Sequence, residues 1–217
     1  RGDPPTGRRR GRRRSRGDRR SDDASTRSSS SLSSEANPRI APGGRRDVGV
    51  LTMFITAVSG RVTGTAPPNL FLTLGRNRRL FRRWLWFSAA LMPGGRLARK
   101  ESELAILRVA HRRGSDYEWE QHRRLGKRAG LTDAAIDAVA GRALPKDGVW
   151  TKREGLIIEA IDQLVDHRDV DDDLWSRLTA HFDDNELIEL LMLAGQYDGL
   201  ATTIGALRIR TDRPRRG

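Results

Sequence analysis

The 217-residue chain contains no cysteine. That excludes disulfides, thiolate metal ligands and a thiol peroxidase mechanism carried by its own residues. It also has no apolar run approaching the roughly 18 residues of a membrane-spanning helix, so a soluble, cytoplasmic protein with no membrane partner is expected. Acidic residues are missing from 51–100, which hold 9 basic side chains and none acidic, whereas 1–50 hold 14 basic and 6 acidic, and 101–217 hold 18 basic and 22 acidic. The formal charge of +13 therefore belongs to the N-terminal part. A nucleic-acid-binding domain carries its positive charge on the folded reading surface, so nucleic acid is expected only at the basic tail. No strand alternation, internal repeat or phosphate-binding glycine loop is present.

What is there begins with residues 1–47, rich in Arg, Ser and Gly, where Leu32 and Ile40 are the large apolar exceptions. Such a segment buries too little surface to offset its ordering entropy and reads as a disordered tail. The first methionine is Met53, compatible with an extension upstream of the natural start. Arg45-Arg46 before a short apolar run resembles a twin-arginine export signal. Gly49 and the run's shortness favour instead a linker or N-terminal packing element over 48–65.

From Ala66 onward the pattern is helical, and a domain is expected over 66–210 with a basic tail at 211–217. Leu70 to Leu74 reads as a short helix. Leu80, Trp84, Phe87 and Leu91 then form a stripe at spacings of four, three and four, read as core packing. Thr132 caps a short helix, and 144–148 is a loop. Thr151 with Glu154 three residues on is a capping box, opening a helix whose buried face is Leu156, Ile157, Ala160, Ile161, Leu164 and Val165. The Asp171-Asp172-Asp173 run reads as charge at a helix start rather than a metal site. Residues 185–208 form the longest helix, apolar nearly all round. Such a helix is buried on several sides, and Gly195 and Gly199 would allow subunits to approach closely.

Residues 101–129 carry the chemistry. They read as two helices joined at Gly114, which can take the left-handed conformation that ends a helix, with Ser115 or Asp116 able to cap the next. In the first, Leu104, Leu107 and Ala110 mark one apolar stripe with a wet face opposite. In the second, Trp119, His122, Gly126 and Ala129 share a stripe, and Glu118 lies one turn before His122. If the helices are antiparallel, Glu103 stands eleven residues before the turn and His122 eight after it, a height mismatch of about 4.5 Å. Two carboxylates and an imidazole thus converge in an apolar seam, a constellation suited to general acid–base work.

These residues resemble the carboxymuconolactone decarboxylase and alkylhydroperoxidase D-like superfamily. Its peroxidase members carry Cys-x-x-Cys-x-x-x-His with an upstream Glu. Aligned on His122, the two thiol positions become Ser115 and Glu118, and the upstream Glu falls on Glu103 without a gap. The wording Tyr117-Glu118-Trp119-x-Gln121-His122 resembles the thiol-free, decarboxylase-like branch. Pro68-Asn69-Leu70-Phe71 and the Glu189 to Tyr197 run add to the likeness.

The resemblance implies an all-α, alkylhydroperoxidase D-like domain with a central antiparallel helix pair and a long C-terminal helix. It implies a homo-oligomer (dimer, trimer or hexamer) and a cofactor-independent, metal-free lyase or isomerase acting on a small anionic lactone or keto acid. His122, Glu118 and Glu103 would be catalytic; separately from the resemblance, Tyr117, Trp119 and Tyr197 are read as candidate substrate contacts. A peroxidase relative that has lost its thiols and a non-catalytic binding scaffold are the alternatives.

Overall fold

The computed structural model describes residue 2 and residues 37–141 and 148–215. The expected tail up to residue 36, residues 144–147 of the expected loop and the last two residues of the expected basic tail lie outside these. The chain divides into residues 1–35 and 36–217, and the elements below belong to the second unit.

Among the described residues the fold is all helical, with one isolated bridge between Thr65 and Pro214. In chain order the helices are α1 (Arg45–Val48), α2 (Val50–Thr63), α3 (Asn69–Leu74), α4 (Arg78–Leu91), α5 (Arg99–Arg113), α6 (Asp116–Arg128), α7 (Asp133–Val139), α8 (Lys152–His167), α9 (Asp172–Thr179) and α10 (Asp184–Leu207).

Helix α5 is the hub, packed against α6, α8 and α10 and touching α7. It does not keep the wet face its stripe predicts. Leu104, Ala105, Ile106, Leu107, Val109 and Ala110 are all essentially inaccessible, and Glu101, Ser102 and Glu103 are buried with them. Neighbours close on it from three sides, so both of its apolar edges find partners. Ile106 and Val109 join Ile157, Ile161, Leu174, Leu190 and Leu193 in the main core, while Leu104 and Leu107 meet Leu131, Ile136 and Val139. Each such side chain contributes about 1.5–3 kcal/mol by leaving water.

The ends follow local chemistry. Gly114 ends α5 at φ 61°. Ser115 opens α6 without a side-chain cap bond, so the capping expected of it is not made. Thr132, Thr151, Asp171 and Asp183 each accept a hydrogen bond from the third residue beyond them. Glu154 completes the capping box at Thr151. Asp171 thus caps α9, and Asp173 pairs with Arg177 one turn on.

Three further features depart from the sequence reading. In α4 the stripe is core only at Leu91: Leu80 is 62% and Phe87 38% exposed, and with Trp84 they line an open groove of about 540 Å³ against Gly195, Gly199 and Leu200 of α10. In α2 the polarity is inverted, with Thr52, Thr56 and Gly60 turned inward and Val50, Leu51, Phe54, Val58 and Val62 outward. A methyl on Gly60 would stand 2.8 Å from the Thr65 carbonyl, so close packing selects the small residues there. The packed region is also longer than 66–210. The Arg39 amide donates to the Leu207 carbonyl and the Gly43 amide to Leu72, and Asp212 is buried.

Candidate functional site

Helices α5 and α6 run back to back because Gly126 admits contact. A Cβ there would lie 2.8 Å from Leu131, 3.4 Å from Leu107 and 3.6 Å from Glu103. This close approach sets Glu103 opposite His122, and the expected height mismatch closes to a direct contact of 2.7 Å between His122 Nδ1 and Glu103 Oε2. With the carboxylate accepting, Nδ1 carries the proton, and among the described residues Nε2 makes no hydrogen bond. Glu103 is wholly inaccessible, and its other oxygen, Oε1, ion-pairs at 2.7 Å with Arg99 one turn earlier on α5.

Glu118 lies one turn before His122 and is also buried. Neither of its carboxylate oxygens makes a hydrogen bond. Burial pushes its carboxyl up to about 8, the nearby Ser115 hydroxyl tempers the shift, and Asp198 adds to it. A group so displaced is protonated at neutral pH and can donate a proton rather than accept one.

The third wall comes from α10. Tyr197 stands edge-on to His122 with ring centroids 5.0 Å apart. Burial raises its phenol well above the ordinary range, reinforced by Glu103 and Glu118 and opposed by Arg99. Tyr197 therefore stays neutral and senses the charge of all three groups. Asp198, its neighbour, pairs with Arg113.

Of the expected substrate contacts, Tyr197 is brought to His122, and the other two are engaged elsewhere. The Tyr117 hydroxyl donates to Asp212 Oδ2 at 2.8 Å, and the Gln121 amide donates to the same oxygen. The Asn69 amide donates to Oδ1 at 2.7 Å. Burial raises the Asp212 carboxyl, against the lowering effect of these bonds and of Arg124. This cluster fastens residues 209–215 to α6. Trp119 packs against the Leu104, Leu107 and Ile136 cluster, with its ring 6.1 Å from that of His111.

Sequence reasoning missed Arg99, whose i,i+4 spacing to Glu103 was the available signal, and Asp198, which no local pattern marks. Ser115 has a buried hydroxyl with no hydrogen-bond partner among the described residues. No group of three or more His, Asp or Glu among the described residues forms a metal-binding cluster. No described helix is long and apolar enough to cross a membrane.

Residues 78–158 match the carboxymuconolactone decarboxylase family, a span that includes Glu103, Glu118 and His122. No curated protein matches the chain. Among solved structures, an alkylhydroperoxidase core described as an uncharacterized peroxidase-related protein from Ralstonia eutropha JMP134 superposes with TM-score 0.68 at 18% identity. That match covers 81% of this chain and 94% of the other. An uncharacterized peroxidase-related protein from Silicibacter sp. TM1040 gives 0.66 at 12% identity over 81% and 94%. The debrominase Bmp8, in a Cys-to-Ala variant bound to 2,3,4-tribromopyrrole, gives 0.65 at 13% identity over 80% and 91%. Residues 78–158 thus match the carboxymuconolactone decarboxylase family model, and the chain is built on the alkylhydroperoxidase D-like helical fold.

Proposed function

We propose that this protein is a cofactor-independent lyase or isomerase that moves a proton on a small anionic lactone or keto acid, with His122, Glu103 and Glu118 as its acid–base groups. The observation that carries the reading is the 2.7 Å pairing of His122 with a carboxylate removed from solvent, beside a second carboxyl that burial keeps protonated. Glu103 fixes the imidazole and stabilises its charged form, leaving Nε2 to work. In a decarboxylation, the bond to the leaving carboxylate breaks and CO2 departs. The electron pair stays on the substrate as an enolate, and the Nε2 proton of imidazolium is delivered to the carbon. The neutral Glu118 acid donates a hydrogen bond to the enolate oxygen, where charge develops. Water then returns a proton to His122.

Thiol chemistry like that of the superfamily's peroxidases has no nucleophile in a chain without cysteine. The test is to incubate the protein in D2O with γ-carboxymuconolactone and with β-keto acids such as acetoacetate, following CO2 release and deuterium uptake. His122→Ala should lose about 10²–10⁴-fold in rate. Full turnover by that variant, or no exchange by the native protein with any of these compounds, overturns the reading.

A further inference from the structure

We propose that Arg99 is a positioning residue of this site, its fixed charge on the outer oxygen of Glu103 setting how tightly the Glu103–His122 pair holds its protons. The inference rests on the acid–base reading above but concerns a residue that does not touch the reacting atoms.

Glu103 is fully inaccessible, and its Oε1 has no hydrogen bond; among the described residues its ion pair is with the Arg99 guanidinium at 2.7 Å. Arg99 itself is 42% exposed on the first turn of α5, so its guanidinium joins wholly buried Glu103 to the surface. The charged or titratable groups around the pair come from three helices. Helix α5 contributes Glu103 and Arg99, α6 contributes Glu118, and α10 contributes Tyr197 and Asp198. Apart from Arg99 these groups are neutral or acidic, and Asp198 is already engaged by Arg113. Arg99 is therefore the cation that offsets the negative charge Glu103 brings into the seam.

The direction of its effect follows from Coulomb's law. A nearby positive charge favours release of a proton from any group, so removing it makes the pair hold protons more tightly. Because the two groups are hydrogen-bonded at 2.7 Å, a charge placed on one of them acts on both. A merely structural Arg99 would alter stability and leave the titration where it is.

The experiment follows the ring nitrogens of His122 by NMR against pH in histidine-labelled native protein, Arg99→Gln and Arg99→Lys, without substrate. The expected result is a midpoint about one pH unit higher in Arg99→Gln, the size of one charge acting across a partly buried site. Arg99→Lys, which keeps the charge, should titrate within a few tenths of native. Equal midpoints in all three proteins overturn the proposal, as does Arg99→Lys behaving like Arg99→Gln. Because no turnover is measured, failure here leaves the acid–base reading standing, and failure of the substrate panel leaves this result standing.

Discussion

At Glu118 a carboxyl group sits out of water with no hydrogen bond to its oxygens, and its displacement to about 8 ties stability to pH. Below about pH 4.5 the folded and unfolded chains both carry its proton. Between there and about 8 only the folded chain does, so stability falls as pH rises, by at most about 1.4 kcal/mol per unit, and levels off above. Thermal melting from pH 5 to 8 should show this slope, and Glu118→Gln should flatten it; identical slopes would mean that Glu118 is ionised in the fold. The relation of Glu103 to His122 was legible from residue spacing because a helix is a ruler with a fixed rise. Tyr197 was offered from its place on the last helix without any spacing to fix it, since no ruler runs between positions 75 residues apart.

Between elements, the α5–α6 contact depends on Gly126. Gly126→Val would drive two methyls into Leu131 and Leu107 and force α6 outward. We expect a loss of about 1–3 kcal/mol in chemical denaturation and weakened coupling between His122 and Glu103; unchanged stability would show that the seam yields freely. Thr151→Ala, which removes a capping bond and half of a capping box, should cost about 1 kcal/mol in the same measurement. Caps and the α8 face were readable because they depend on neighbours in sequence. Of the α4 stripe expected as core, Leu91 is buried and Leu80 and Phe87 are open: helical spacing reports an apolar face but not what covers it.

At the scale of the molecule, two large apolar features stay open among the described residues, the outward face of α2 and the groove between α4 and α10. We propose that this protein self-associates through such surfaces. Light scattering on a sizing column should give a mass above 24.3 kDa for the native chain, reduced by Phe54→Glu. A native protein that stays monomeric at tens of micromolar would refute this. Removing residues 209–215 should also destabilise the domain, because Asp212 would no longer receive Tyr117, Gln121 and the Asn69 amide.

The order of residues was enough to determine the helical class, most helix ends and the pairing of Glu103 with His122. These follow from interactions within a turn or across one short connection. Burial of α5 on three sides, the inverted face of α2, the docking of residues 209–215 through Asp212, and the placing of Tyr197 beside the imidazole were decided by tertiary structure. Each depends on which distant segments share a neighbour, and solvent exclusion at Glu103 and Glu118 exists only once those segments have closed over them.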